Sequence, residues 1–385
     1  MTYGSWGATA LLLVATTSAW SAPASRPALE RAFAFASAIE SDAKDRAMAQ
    51  AAVALEALSL EDGEQAAALA DEVSGWQRGV IYAEIATWHA KAGRTDQARS
   101  FLSRAEEFRR TQEGWQGPRI QAHIGAALSA LGDSEGAHAI TDALAQNDRQ
   151  YNGMAVVSNA RLVARRSGFD AAMAEIKKAE QETDYEFALG RTSAYLELGD
   201  DVRFSLDQRL SALRAARATA EEVAVWSRAD LLVSASKGFT KIDAAKDAWE
   251  SLDAATSLGR ALATTSMVRA GVLSNVASAW IEGGDTTRAK DILNDAAAGL
   301  KDIQAIDRPE MLARIAAVTM KLPDAAMAKA RFDEALTQTA ALNNARPRAL
   351  AAVGVCRALA RAGIVPDADL SARLDALRRG LRSPW

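Results

Sequence analysis

The chain has 385 residues, 49% hydrophobic and 24% charged, with a net charge of −4 and Cys356 as its one cysteine. That length suits two or three ordinary domains or one long repeat array, and an alanine-rich chain with only eight prolines favours helix throughout. Charge is spread evenly, with Arg109-Arg110, Arg165-Arg166 and Arg378-Arg379 as the densest basic spots, so the footprint of a nucleic-acid-binding arm is missing.

Residues 1–24 carry no charge and contain the apolar run Ala8 to Ala15, followed by Ala22-Pro23-Ala24. The run is too short to span a bilayer and ends in small residues, which predicts a secretory signal cleaved after Ala24. It lacks the positive n-region such a signal normally has. Residues 25–385 are then expected in the periplasm or outside the cell, with no stable membrane insertion. No intramolecular disulfide is possible, and Cys356, set among Ala351, Ala352, Val355 and Leu359, reads as a buried, inert thiol.

Pro27 to Ser41 reads as a first helix, with Leu29, Phe33, Ala34 and Ala38 on one face. From there a helix–turn–helix unit recurs, and Ser266 to Leu300 shows it most clearly. Val268, Val272, Val276 and Leu273, Ala277, Trp280 lie on one side of a first helix. Gly283-Gly284 stops it, Asp285 caps the next, and Ala289, Ile292, Leu293, Ala296 and Leu300 continue the stripe. The same turn is marked at Gly63, Gly93, Gly132, Gly168, Gly199, Gly238, Gly284, Leu322-Pro323 and Gly363, with spacings of 30 to 46 residues averaging about 37. Five residues beyond the turn an alanine recurs at Ala68, Ala98, Ala137, Ala289 and Ala368. Large residues precede it by four (Leu128, Tyr195, Trp280, Leu359) and small ones by seven (Ala86, Gly125, Ala277, Cys356). Small residues where helices cross permit close approach, and a large one fills the gap to the next unit. Pro118, Pro309 and Pro347 fall in first turns, with Asp307 and Asn344 as candidate caps. Asp367 onward reads as a closing helix, about 367–382, with Leu370, Leu374 and Leu377 inward and a polar outer face.

This pattern resembles the tetratricopeptide repeat, in which a small residue and an aromatic in the first helix are followed by a turn residue and an alanine in the second. Lys91 to Leu102 and Glu282 to Leu293 are the most similar stretches. The likeness covers about nine units over residues 44–380. It is weak around Gly168, Gly238 and Leu322, where Met173, Asp243 and Met327 stand at the alanine position. The resemblance implies an all-α, right-handed superhelical solenoid, a single continuous array over residues 25–385. It also implies that first helices line a concave groove where extended or helical peptides bind. Glu84, Arg119, His123, Asn159, Arg166, Arg228, Asn275 and Arg361 would then lie on or near that face. Its guanidinium and amide donors suit a peptide carboxylate or an acidic partner segment.

Catalytic and metal chemistry find little support. His89, His123 and His138 form no i, i+4 pair, there is no G-x-S-x-G, and no glycine-rich phosphate loop appears. Neither a metal nor a cofactor is expected. Trp88, Trp226 and Trp280 fall within first helices as inter-unit fillers, whereas Trp76 and Trp115 near unit boundaries are candidate exposed anchors. The function expected is a non-catalytic scaffold or adaptor for a protein or peptide. The alternatives are a cell-wall-associated enzyme module with a pocket built by several units, and a structural solenoid that self-associates, most simply through Leu370 to Leu381.

Overall fold

A computed structural model describes residues 24–40, 42–182, 184–323 and 325–381. The segment expected to be a signal therefore lies outside the described residues, apart from Ala24, as does the side chain of Trp226.

Among the described residues the chain is helical, with no strand. A first helix, α1 (Arg26–Ser37), precedes nine first-helix/second-helix pairs. In chain order they begin with α2 (Ala43–Ser59) and α3 (Gly63–Glu72), α4 (Gln77–Lys91) and α5 (Thr95–Arg110), and α6 (Gln116–Ala130) and α7 (Ser134–Asn147). The middle pairs are α8 (Asn152–Ser167) and α9 (Phe169–Lys178), α10 (Tyr185–Asp200) and α11 (Leu206–Thr219), and α12 (Val225–Lys241) and α13 (Ala245–Ala261). The last are α14 (Met267–Glu282) and α15 (Thr286–Ala298), α16 (Arg308–Thr319) and α17 (Ala325–Ala340), and α18 (Ala345–Arg361) and α19 (Ala368–Arg379).

The repeat is physical. Gly93, Gly132, Gly284 and Gly363 take a positive φ at the turn, as does Gly168 with an extended ψ, conformations open to glycine. Three units differ from the sequence reading, those marked there by Gly63, Gly199 and Gly238. Glu61 and Asp243, not Gly63 and Gly238, take the left-handed turn position, with φ of 59° and 58°. Counted from these residues, the alanine five positions on is Ala66 or Ala248, the small residue seven before is Ala54 or Ser236, and all four are buried. The large residue four before Asp243 is Phe239, fully buried. Gly199 and Gly238 instead sit inside helices, where a Cβ would lie 2.5 Å and 2.6 Å from the Leu213 side chain wedged between them. Asp307 and Asn344 precede their helices but make no side-chain cap bond.

First helices of successive units pack on one another, whereas second helices pack on the first helices of their own and the following unit. The first helices therefore form the inner layer and the second helices the outer one. Trp280 fills the space between units as expected: it is buried, and its Nε1 donates to Thr256 Oγ1 of the preceding outer helix at 3.1 Å. Trp88 does the same, lying over Gly63 and donating to Glu61 Oε2 at 2.7 Å.

The array closes on itself, which exposed solenoid ends would not do. α18 packs little on α19 and extensively on α1, so α1 supplies the outer helix of the last unit. Hence α1 is buried on more than the one face expected, through Ala28, Leu29, Ala32, Phe33, Phe35 and Ala36. α18 lies parallel to α2: Arg346 at its start meets Asp45 of α2 at 2.6 Å, and Arg357 and Arg361 at its end both meet Glu56. α19 covers the seam from outside. Its Leu374 and Leu377 are buried against the chain, Arg373 binds Asp333 of α17, and Asp375 takes Arg31 of α1 at 2.6 Å.

Candidate functional site: the inner face of the ring

Side chains on the inner helices reach sideways to the next inner helix and form a polar belt. Glu84 of α4 meets His123 of α6, Oε1 to Nδ1, at 2.6 Å. Arg161 of α8 donates to Ser129 Oγ of α6 at 2.8 Å and forms a two-pronged bridge to Glu197 of α10. Lys241 of α12 reaches Asp200 of α10 at 2.5 Å. Asn275 of α14 donates to Asp230 of α12 at 3.0 Å and accepts from Arg314 of α16 at 2.8 Å. Two turns further along, Lys237 and Lys321 bracket Glu282. Burial alone would raise the Glu282 carboxyl, but these two ammonium groups outweigh it and hold the carboxyl below its usual range. Arg314 is pulled below its ordinary value by burial first and by the Arg361 charge second.

Of the residues expected on this face, Glu84, His123, Asn275 and Arg361 belong to the belt. They do not converge on one spot: Glu84 and His123 form one bridge, Asn275 the centre of another, and Arg361 part of the seam. Arg119 is exposed at the start of α6. Asn159 turns outward to Glu175 of α9, Nδ2 to Oε1 at 2.6 Å, and Arg166 pairs with Glu135 at the start of α7.

Arg228 reaches back to the Val223 carbonyl at 3.1 Å and to Glu221. This is a recurring device. Arg78 binds the Val73 carbonyl at 2.8 Å and Arg308 the Ile303 carbonyl at 2.9 Å, each arginine five residues after a buried aliphatic residue. A guanidinium near the end of an outer helix satisfies carbonyls that have no intrahelical partner. The spacing Val73/Arg78, Val223/Arg228, Ile303/Arg308 was present in the sequence as a second repeat signature.

The belt opens where α6 and α8 draw apart. There a cleft of about 410 Å³ spans the C-terminal halves of α4, α6, α8 and α10. It is lined by Glu84, Lys91, Arg161, Arg165, Asp201 and Arg203, together with Glu197 and small residues of α6. Arg161 is neutralised by Glu197 and Arg203 by Asp201, and Arg165 donates to the Gly132 carbonyl at 2.6 Å. Lys91 makes no ion pair among the described residues. The lining carries four cations, Lys91, Arg161, Arg165 and Arg203, against three carboxylates, Glu84, Glu197 and Asp201, so the cleft is cationic by one charge, with Lys91 and Arg165 the cations outside its bridges.

The aromatic candidates divide. Trp76 and Trp115 precede α4 and α6 and meet edge to face, with centroids 5.1 Å apart and Trp115 60% exposed. They sit at the opposite end of the inner helices from the cleft. His89 stacks on Phe101 at 5.5 Å and accepts from Arg94 Nε at 2.8 Å, a packing role. Burial first, then Arg94, lowers its pKa. Among the described residues no three His, Cys, Asp or Glu side chains are grouped as metal ligands, and no helix is long and apolar enough to cross a membrane.

No protein-family model and no curated protein matches the chain. Several solved structures are similar over much of its length. Ton1535 from Thermococcus onnurineus NA1 is 16% identical, with 84% of this chain and 95% of that chain covered and a TM-score of 0.30. A circular tandem repeat protein with novel repeat topology is 13% identical over 93% of this chain and 95% of its own, with a TM-score of 0.26. The human IFIT1 dimer, solved with PPP-AAAA, is 14% identical over 81% of this chain and 71% of its own, with a TM-score of 0.27. Likeness at this level carries no functional argument. The all-α solenoid stands on the chain's own helices and their packing.

Proposed function

We propose that this chain is a non-catalytic scaffold of tetratricopeptide-like units, exported from the cytoplasm, that holds an acidic segment of a protein partner against its inner face. One observation carries the reading. The inner helices of four units build a cleft of about 410 Å³ with four cations against three carboxylates in its lining, so that one positive charge is left over and Lys91 and Arg165 stand ready to meet a carboxylate. Because most groups around it are already tied into bridges, the surface is largely preformed and loses little freedom on binding. The left-handed turns at Gly93, Gly132, Gly284 and Gly363, with buried small residues seven positions before each, support the tetratricopeptide-like reading. Closure of the array restricts how a partner enters. A segment reaches the inner face from either end of the ring and not sideways, which favours an extended chain or a terminus.

The test is capture from native periplasm or medium by the chain from Ser25 onward, beside a Lys91→Ala, Arg165→Ala variant whose helicity is checked by circular dichroism. Recovery of a partner by the parent and its loss from the variant is the expected result. Equal recovery by both would discard the cleft, and absence of any partner under conditions that retain weak complexes would discard the scaffold.

A further inference from the structure

Closing the ring sets α2 beside α18, and a groove of about 350 Å³ lies there on the inner face. α18 runs along its middle, with α2 on one side and the start of α16 on the other. It shares no residue with the cleft at Lys91. An open array would lack it, because its first and last inner helices would not meet.

Both sides carry large apolar side chains that nothing covers. Met48 of α2 is 52% exposed, and Ile306, just ahead of α16, is 48% exposed. Pro347, Leu350 and Ala351 of α18 continue the apolar surface between them. Single exposed apolar residues need no explanation, but two large ones on opposite sides of one groove mark a contact surface.

The charge in the groove is unbalanced. Its lining holds the carboxylates of Asp45, Asp307 and Glu310 against one cation, Arg357. Asp45 is taken by Arg346, and Arg357 by Glu56. Asp307 stands ahead of α16 without making a cap bond, and Glu310 follows three residues later on the same side of the helix. The Glu310 side chain runs over Gly354 of α18: a Cβ there would lie 2.6 Å from its Cγ and 2.9 Å from its carboxyl carbon. Glycine therefore admits this carboxylate to the groove. Neither Asp307 nor Glu310 makes a side-chain hydrogen bond or ion pair among the described residues. Arg314, one turn along α16, feels the Glu310 charge but gives its hydrogen bond to Asn275. The positive end of α16 accounts for acids in its first turn, but not for Met48 and Ile306 exposed beside them.

We propose that this groove docks a basic, apolar segment of a protein partner, whose apolar side chains lie against Met48, Ile306 and Leu350 while a lysine or arginine reaches Asp307 and Glu310. Charge complementarity selects this occupant. An acidic segment is repelled, and an uncharged one would desolvate both carboxylates without answering them. The site stands independently of the cleft reading, because it needs neither Lys91 nor Arg165 and takes a segment of the opposite sign.

The experiment is fluorescence anisotropy with the full chain at neutral pH and three dye-labelled hexapeptides blocked at both ends. One alternates leucine and arginine, the second has glutamate in place of arginine, and the third has serine in place of leucine. The first is expected to bind saturably, the second not at all, and the third about tenfold or more weakly than the first. Asp307→Asn with Glu310→Gln is expected to lower the affinity for the first peptide about tenfold or more, the scale of a charge-assisted hydrogen bond. Met48→Ser, which keeps both carboxylates, is expected to lower it about threefold or more. All these side chains are at least partly exposed, and circular dichroism checks that each variant keeps its helices. The Lys91→Ala, Arg165→Ala variant is expected to bind the first peptide as the parent does, which separates failure of this site from failure of the cleft. Unchanged binding in the double carboxylate variant, equal binding of the glutamate peptide, loss of binding in the Lys91→Ala, Arg165→Ala variant, or no saturable binding by the parent would each overturn the proposal. A parent that sediments as a dimer, and a Met48→Ser variant that does not, would overturn it in favour of a second copy of the chain as the occupant.

Discussion

Replacing Glu56 with alanine should open the ring at its seam, and Cys356 reports the opening. Glu56 is 4% exposed and is the shared acceptor of Arg357 and Arg361, whose side chains are 23% and 37% exposed. Removing one partner of a buried ion pair costs roughly 3–5 kcal/mol, because the remaining charge keeps its desolvation and loses its compensation. Both arginines retain part of their hydration, so the low end applies, about 3 kcal/mol. That loss falls on the contact between α18 and α2, and through it on α1, which packs against both. Cys356 of α18 is fully buried, close enough to the Arg31 guanidinium to feel its charge, and burial pushes its thiol up to about 12. Its modification therefore requires local separation of helices.

When opening and closing are fast, the rate of modification follows the opening equilibrium. At about 1.4 kcal/mol per decade, a loss of about 3 kcal/mol accelerates modification about a hundredfold. The assay is 4,4′-dithiodipyridine labelling of the native chain, with circular dichroism to show that the remaining units stay helical. Acidification supplies the same perturbation without mutation. Burial alone would raise the Glu56 carboxyl, but Arg361 and Arg357 outweigh it and hold the carboxyl below its ordinary value. A depressed folded pKa gives stabilisation fully present above the ordinary carboxylate range and lost as pH falls through the folded value. Labelling should accelerate over that acidic window in the parent, after correction for thiolate chemistry, and by less in the Glu56→Ala variant, which keeps the contact of Arg346 with Asp45 at this seam. Labelling of Glu56→Ala within about threefold of the parent at neutral pH would refute the seam as the holding contact.

Three other outcomes follow from the packing. Gly153→Ala should cost about 1–3 kcal/mol in denaturant titration, because its Cβ would strike the Glu186 carbonyl at 2.6 Å, with backbone on both sides. Asp243→Gly should stabilise the chain by about 0.5–1 kcal/mol, since glycine takes the left-handed turn conformation at φ 58° without strain; an unchanged or lower denaturation midpoint would contradict it. Arg228→Ala should lower stability by about 1–3 kcal/mol by stripping the Val223 carbonyl of its donor, and leave partner capture at the Lys91 cleft unchanged.

The sequence made the unit legible because its signals are local. A left-handed glycine, an alanine five residues later and a small residue seven before are all set within one hairpin, and Gly93, Gly132 and Gly284 follow the rule. Glycine alone is an incomplete marker of that turn, because other residues adopt the same conformation. Glu61 and Asp243 hold the turn, so Gly63 and Gly238 shifted the register by two and five positions and hid Ala66, Ala248 and Phe239. The belt was half legible. Glu84, His123, Asn275 and Arg361 lie on the inner layer, but helical phase alone could not tell that Asn159 and Arg166 turn towards outer helices, or that Arg228 serves its own loop. Nor could it show the cleft, which depends on α6 and α8 drawing apart.

Closure is non-local in the strict sense, with Glu56 and Arg361 separated by 305 residues. Yet it left a trace in α1. A terminal helix of an open array buries one face and leaves the other wet, whereas Arg26–Ser37 alternates Phe33 and Phe35 with buried alanines almost all round. A helix apolar on most of its circumference needs neighbours on more than one side. Besides α2, α1 finds such a neighbour in α18, from the other end of the array. The consequence reaches function. In an open solenoid each unit is held by its neighbours alone, and ends fray first. Joining the ends removes that route, so the inner layer is held in one curvature. The gap between α6 and α8, with the cleft it contains, is then a fixed feature of the ring and not a breathing motion of a spring. A partner that needs the gap wider must separate the seam at Glu56, and a partner that fits it as it stands need not.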